Sequence, residues 1–189
     1  MKNAIIIHGM PSKEEYFDAS LPKPSKAHWI PWLKGELEQK GIKTETPEMP
    51  EPYEPKYDLW VSEFEKLNVD EDTILVGHSC GGGFLLRYFS EHPELKPKKI
   101  ILVAPWIDPE PRELATGFFE FEIDKTLTDR VELVVFYSTD DDEVCIRSAN
   151  IIEQTLPNAT YHKFTDKGHF TEGDLGTKEF PELLEEVLN

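Results

Sequence analysis

The sequence predicts an α/β fold in which helices cover both faces of a mostly parallel sheet. Six short runs of β-branched and other apolar residues are spaced along the 189 residues, and helical patterns lie between most of them. Several runs are continuously apolar rather than alternating, which is typical of strands buried on both faces. The alternation of strand and helix favours parallel pairing through crossover connections.

In the first half of the chain, strands are predicted at 4–7, 42–46 and 73–76, because these runs are rich in Ile, Val, Leu and Thr. The helix predicted at 29–40 stops before Gly41, a residue that readily adopts the left-handed conformation found at helix ends. The helix at 57–67 is predicted from apolar residues at helical spacing, namely Leu59, Trp60, Phe64 and Leu67.

In the second half, strands are predicted at 99–103, 131–137 and 160–164, on the same pattern of apolar and β-branched residues. Helices are predicted at 82–90, 144–156 and 180–188, and Pro181 suits the first turn of the last one. This length and composition predict a single domain over residues 1–189.

Two segments interrupt the alternation. Residues 46–57 contain four prolines and predict an ordered surface loop. Residues 104–128 carry an apolar cluster that is too irregular for a further strand and helix. This segment is expected to form either a short lid over the sheet edge or a peripheral helix packed on the core.

The charge balance narrows the classes of partner. The chain has 20 Lys and Arg against 37 Asp and Glu, a net charge of −17, which disfavours binding to nucleic acids and anionic membranes. No export signal or membrane-spanning run is visible, so a cytoplasmic protein is expected. Cys80 and Cys145 do not form a Cys-x-x-Cys or Cys/His pattern, so reduced thiols and no metal are predicted. The sequence has no dinucleotide-binding motif or P-loop, so no cofactor is predicted.

The sharpest local signal is Gly77-His78-Ser79-Cys80-Gly81, which matches the pattern G-x-S-x-G. A predicted strand precedes it and an apolar helix follows, the setting of a nucleophile elbow. Such a turn needs glycines on either side because larger side chains would collide with the neighbouring strand and helix. Ser79 is therefore the candidate nucleophile.

A serine hydroxyl needs a base and an orienting acid to become nucleophilic, expected here in the chain order Ser, Asp, His. Two loops leave the carboxyl edge of the predicted sheet, where catalytic groups collect in such folds. One contributes Asp141, which fits the spacing Asp-x-x-hydrophobic to Val144, with Asp140 as the alternative. The other contributes His169 as the candidate base.

The same pattern predicts two backbone donors for an oxyanion. One is the N–H of Cys80, directly after the nucleophile, and the other is the N–H of Met10, in the loop after the first strand. The thiol of Cys80 itself is expected to be a small buried filler.

Together these segments resemble the small α/β-hydrolases of the YdeN type, the family that includes a vertebrate retinoblastoma-binding serine hydrolase. The resemblance spans nearly the whole chain and implies a minimal α/β-hydrolase fold with six parallel strands in the order 2-1-3-4-5-6. It also implies a triad of Ser79, Asp141 and His169, but it names no substrate. Cys145 follows Val144 where many hydrolases carry proline, which keeps Asp140 open as the acid. The matching segments are Ile6-Ile7-His8-Gly9, His28-Trp29-Ile30-Pro31-Trp32-Leu33, Gly77-His78-Ser79-Cys80-Gly81, Ser138-Thr139-Asp140-Asp141 and Gly168-His169-Phe170.

The function predicted from the sequence is hydrolysis of a small ester or amide through an acyl-enzyme. Trp29, Trp106 and Phe118 are candidate side chains for an apolar acyl pocket. Transfer of the acyl group to an acceptor other than water would use the same residues. The alternative is a hydrolase fold that serves as a protein-interaction module, because fold alone does not fix function.

Overall fold

The computed structural model describes residues 2–109 and 117–189. In chain order, its elements are β1 (Asn3–Ile7), α1 (Lys13–Phe17), α2 (Ile30–Gln39), β2 (Lys43–Glu45), α3 (Tyr57–Phe64), β3 (Thr73–His78), α4 (Cys80–Glu91), β4 (Lys99–Val103), β5 (Glu132–Ser138), α5 (Glu143–Thr155), β6 (Thr160–Phe164), α6 (Glu172–Leu175) and α7 (Pro181–Leu188). Short 3₁₀ turns lie at Pro24–Lys26 and Leu127–Asp129.

The six strands form one parallel sheet in the order β2-β1-β3-β4-β5-β6. This confirms the predicted fold class and the predicted strand order. Because all strands run in the same direction, the loops that follow them open at one edge of the sheet, where ligand sites form in folds of this class.

Burial on both faces of the sheet explains the continuously apolar strands. Ile6, Val76 and Ile101 are paired across β1, β3 and β4 and pack on one face, together with α2 and α7. Their sequence neighbours on the same strands, such as Leu75, point to the other face and pack beneath α3, α4 and α5. Successive side chains of a strand point to opposite faces, so a strand covered twice must be apolar throughout.

The segment 104–128, predicted to be a lid or a peripheral helix, lies partly outside the described residues, which omit 110–116. The described parts pack against the core beside α4. Trp106 and Phe118 are buried there, and Arg87 donates hydrogen bonds to the carbonyl oxygens of Gly117 and Phe118 at 2.6 and 2.7 Å.

None of the helices within residues 2–109 and 117–189 combines the length and the apolar character needed to cross a membrane.

Candidate active site

Ser79 lies at the sharp turn between β3 and α4, with φ 53° and ψ −118°. Such a backbone conformation is strained for a residue with a side chain and persists only where its surroundings enforce it. The Ser79 N–H donates to the carbonyl of Val103 at 2.9 Å, and the Ser79 carbonyl accepts from the N–H groups of Gly83 and Trp106, both at 3.1 Å. The sheet and the helix therefore hold this turn from both sides.

The glycines around Ser79 are required by the close approach of backbones. A Cβ at Gly77 would lie 2.6 Å from the carbonyl oxygen of Gly81, and one at Gly81 would lie 2.5 Å from the carbonyl oxygens of Ile7 and His8. These separations are shorter than van der Waals contact, so any larger residue would push α4 away from the sheet. The pattern G-x-S-x-G thus has the steric cause inferred from the sequence.

Asp141 and His169 are brought together from the loops after β5 and β6. Nδ1 of His169 lies 3.0 Å from both carboxylate oxygens of Asp141. The Asp141 side chain is only 3% exposed, whereas that of His169 is 28% exposed. A buried carboxylate that accepts from Nδ1 fixes the imidazole so that Nε2 is free to take a proton.

Asp140, the alternative acid, has a different place. Its carboxylate accepts hydrogen bonds from the hydroxyl of Ser138 and from the N–H of Gly168, the latter at 3.1 Å. The hydrogen bond from Ser138 is the main reason why the pKa of Asp140 is lowered. Asp140 therefore joins the acid loop to the histidine loop, and Asp141 is the carboxylate that reaches the imidazole.

The protonation of His169 is set by opposing effects. Burial alone would lower the pKa of His169, but hydrogen bonds with Asp141 and Cys145 outweigh it and raise this pKa above its ordinary value. Two further histidines contact the site, and both have their pKa lowered, mainly by burial. Asp141 therefore favours the protonated form of His169, whereas burial disfavours the protonated forms of His28 and His78.

His78, the second residue of the elbow motif, supports the histidine loop. It is almost fully buried, and its Nε2 is 2.9 Å from the carbonyl oxygen of His169, which accepts the hydrogen bond. His28 has a related part, because its Nδ1 accepts a hydrogen bond from the N–H of Glu172 at 3.2 Å. Both roles were missed from the sequence, because the partners of His78 and His28 are 91 and 144 residues away in the chain.

The loop after β1 runs closely against Ser79, since a Cβ at Gly9 would lie 3.1 Å from the Cβ of Ser79. His8 is buried, and its Nε2 accepts a hydrogen bond from the N–H of Met49 at 2.9 Å. The ring proton is therefore on Nδ1, which donates a hydrogen bond to the carbonyl oxygen of Gly9 at 2.7 Å. This bond fixes the peptide plane whose N–H belongs to Met10.

Cys80 is the first residue of α4, and the first N–H groups of a helix have no partner within it. Its side chain is fully buried, and burial, with Asp108 nearby, raises the pKa of the Cys80 thiol well above its ordinary value. This is the environment of a buried filler, as the sequence indicated, and it keeps the thiol protonated at neutral pH.

Ser79 and His169 line one cavity of about 580 Å³. Its apolar walls come mainly from the long connection between β1 and α2, including Met10, Tyr16 and Leu21. Glu15 and Glu172 also line it, and no lysine or arginine is among its described lining residues.

The three aromatic residues predicted to line the pocket are placed elsewhere. Trp29 is fully buried between His78 and Phe180, and Trp106 and Phe118 belong to the core on the opposite face of the sheet. None of the three is among the described residues that line the cavity. The physical reason for their placement is that burial of a large aromatic side chain in the core stabilises the fold more than exposure in an open cleft.

Comparisons with known proteins agree with this geometry. The family model described as "Serine hydrolase" matches residues 20–188. The chain is 30% identical over 165 residues to the serine hydrolase RBBP9 of Rattus norvegicus, and the aligned residues cover 84% of each protein. It is 29% identical over 172 residues to the YdeN protein of Bacillus subtilis strain 168, which covers 86% of this chain and 88% of that protein.

The crystal structure of the ydeN gene product from B. subtilis superposes with a TM-score of 0.80 and 26% identity, over 100% of this chain and 97% of that one. The minimal α/β-hydrolase fold and the resemblance to the YdeN type are thereby confirmed. With the match to the family model over nearly the whole length, this chain belongs to the serine hydrolase family.

Proposed function

We propose that the protein hydrolyses a small ester or amide through an acyl-enzyme formed on Ser79. The observation that carries this proposal is the 3.0 Å contact between Nδ1 of His169 and the buried carboxylate of Asp141, beside a cavity that Ser79 also lines. A serine in a strained turn, a base and an orienting acid are the parts that acyl transfer requires.

In this mechanism, Oγ of Ser79 attacks the substrate carbonyl carbon while Nε2 of His169 takes the hydroxyl proton. Asp141 stabilises the imidazolium that forms and holds the ring in position. The N–H groups of Cys80 and Met10 donate to the oxyanion, each contributing about 3 kcal/mol to transition-state stabilisation. The imidazolium then protonates the leaving group, and water releases the acyl group by the same steps. No cofactor is needed.

The cavity supports a small, uncharged substrate. Its volume of about 580 Å³ is in the usual range for small-molecule pockets. Its walls at Met10, Tyr16 and Leu21 offer apolar contact to an acyl chain, whereas Glu15 and Glu172 repel an anion. A short-chain carboxylester fits these features best.

The decisive experiment compares the wild type with Ser79→Ala on p-nitrophenyl esters from acetate to octanoate. We expect the variant to lose at least about 10³-fold in kcat/KM, because it lacks the nucleophile. A fluorophosphonate should label the wild type once, at Ser79. Ser62→Ala is the matched control, because Ser62 is exposed on α3 and its hydroxyl donates to the carbonyl of Asp58 in the same helix.

Equal labelling of Ser79→Ala and the wild type would refute the assignment of the nucleophile. If the wild type were neither labelled nor active on any ester, the chain would instead be a hydrolase fold used for protein interaction. Product analysis with an added alcohol acceptor separates hydrolysis from transfer to that acceptor.

A further inference from the structure

A thiol that the proposed mechanism does not use lies beside the acid and the base. Cys145 is in the first turn of α5, where its N–H donates to the carbonyl of Asp142 at 2.9 Å. Asp141 lies just before the N-cap residue Asp142, and the sulfur of Cys145 is within 4.8 Å of a carboxylate oxygen of Asp141. The residue is 7% exposed, and its thiol forms a hydrogen bond with the side chain of His169.

We propose that Asp141, Cys145 and His169 form a zinc site through which Zn²⁺ inhibits the enzyme. The inhibition rests on the proposed function, whereas the binding does not. A carboxylate oxygen, a sulfur and a ring nitrogen of these residues lie within 4.8 Å of one another. Among the described residues, no second group of three such side chains is this close.

The donor set suits zinc in both kind and number. Zn²⁺ is held by thiolate at about 2.3 Å and by imidazole or carboxylate at about 2.0–2.2 Å, in tetrahedral sites. Such bond lengths place neighbouring donor atoms about 3.3–3.8 Å apart. The separation of 3.0 Å between Nδ1 of His169 and the carboxylate of Asp141 must therefore widen by a few tenths of an ångström, to about 3.3 Å or more. The sulfur of Cys145 is within 4.8 Å of both. Water completes the fourth position. Thiolate and imidazole favour Zn²⁺ over Mg²⁺ and Ca²⁺, which prefer oxygen donors.

Bound zinc would remove the base from the reaction. Zinc takes the place of the proton between Nδ1 of His169 and the carboxylate of Asp141. The thiol proton of Cys145 leaves to solvent, and the ring proton moves from Nδ1 to Nε2, so the imidazole stays neutral. Nε2 then has no lone pair to accept the proton of Ser79, and acylation stops.

A second pairing of histidine and carboxylate provides a matched control. Nε2 of His162 lies 3.0 Å from a carboxylate oxygen of Glu186, in a pair that contains no cysteine. Zinc that binds any histidine beside a carboxylate, without need of a thiol, would also bind this pair. Replacing His162 by glutamine therefore tests for such binding without touching the triad.

The experiment measures binding and inhibition separately on the full chain. Zn²⁺ affinity is measured by competition with a fluorescent zinc indicator for the wild type, Cys145→Ala, Cys145→Ser and His162→Gln. Ester hydrolysis is followed in buffers of fixed free Zn²⁺, relative to the zinc-free rate of each variant. Co²⁺ replaces zinc as a spectroscopic probe of thiolate coordination, and thermal melting confirms that each variant is folded.

We expect one Zn²⁺ per chain, and an affinity at least about tenfold weaker in both Cys145 variants, since removing even an outer partner of a metal ligand costs 10- to 100-fold. In both Cys145 variants, the free Zn²⁺ concentration that halves ester hydrolysis should rise by the same factor. The charge-transfer absorption band between thiolate and Co²⁺, expected in the wild type, should be absent from these variants. His162→Gln should match the wild type. Equal zinc affinity in Cys145→Ala and the wild type would overturn the proposal. Cysteine-dependent binding in a protein without esterase activity would instead refute the proposed function.

Discussion

At the scale of single residues, the site combines one strained backbone with several buried polar contacts. The positive φ of Ser79 costs about 1–3 kcal/mol, and the hydrogen bonds to Val103, Gly83 and Trp106 offset this cost. Buried histidines then fix the loops around the serine, since His8 holds the carbonyl of Gly9 and His78 holds that of His169. Hydrogen bonds therefore hold the backbone of the candidate site on both sides of Ser79.

The pH dependence of activity should report the contact between Asp141 and His169. Protonated His169 cannot take the proton of Ser79, so kcat/KM falls as the pH drops through the raised pKa of His169. Asp141→Asn removes the negative charge that favours the imidazolium. We expect the acid limb of the profile to move to lower pH and the plateau rate to fall about 10⁴-fold.

Asp140→Asn is the control for this profile, because Asp140 bonds to Ser138 and Gly168 rather than to the imidazole. Its acid limb should stay where the wild type has it. Profiles of kcat/KM are measured between pH 5 and 11, because the pKa of His169 is raised to about 10. An equal shift of the acid limb in Asp140→Asn and Asp141→Asn would show that Asp141 is not the orienting acid.

The elbow, the acid loop and the histidine loop could be predicted from sequence because each has a local cause. Gly77 and Gly81 are needed for backbone contacts, and Asp141 and His169 each follow a strand that ends at the same sheet edge. The roles of His8 and His78 could not be predicted, because their partners at Met49 and His169 are 41 and 91 residues away in the chain.

At the scale of elements, double-sided burial made the inner strands β1, β3, β4 and β5 predictable to within one or two residues. The short helices α1 and α6 were missed, because four or five residues are too few for a hydrophobic period. Their signal was the capping box, in which Ser12 pairs with Glu15 and Thr171 with Asp174. Both helices flank the cavity, so this signal also marks the walls of the site.

The attachment of α7 to the sheet depends on a buried ion pair. Nζ of Lys99, in β4, lies 2.8 Å from the carboxylate of Glu186, and Lys99 is 1% exposed. Burial alone would raise the pKa of Glu186, but hydrogen bonds from Lys99 and His162 lower it overall. This depressed pKa gives a stability contribution that is present above the unfolded-state value of about 4.3 and is lost as the pH falls through the folded-state value.

Glu186→Gln should therefore lower the free energy of unfolding by about 2 kcal/mol at pH 7, since a hydrogen bond to a charged group is lost. The difference from the wild type should shrink at pH 3.5. Glu132→Gln is the control, because Glu132 bonds to the same lysine but is half exposed, and we expect it to cost less than about 1 kcal/mol. Urea unfolding at both pH values tests this, and a pH-independent effect of Glu186→Gln would contradict it.

At the scale of the whole molecule, the parallel sheet places the elbow, the acid loop and the histidine loop at one edge. The fold class, the strand order and the candidate triad could therefore be predicted together. The pocket wall could not be predicted in the same way. Which apolar segment covers a cleft depends on how long connections fold over the sheet, and here the connection after β1 takes the place expected for Trp29, Trp106 and Phe118.

The net charge of −17 predicts how the enzyme discriminates between substrates by charge. An anionic ester must approach against the field of the whole protein and of Glu15 and Glu172 on the cavity wall. We expect p-nitrophenyl butyrate to have a higher kcat/KM than mono-p-nitrophenyl succinate at low ionic strength. The ratio of kcat/KM for the butyrate ester to kcat/KM for the succinate ester should fall as NaCl rises from about 0.01 to 0.5 M, because the Debye length shortens from about 30 Å to less than 10 Å.

The neutral butyrate ester serves as the internal control, and its own rate should change little. Initial rates of both esters across the salt series give the ratio, and a ratio that did not vary with salt would show that contacts inside the cavity, rather than the overall charge, set the preference.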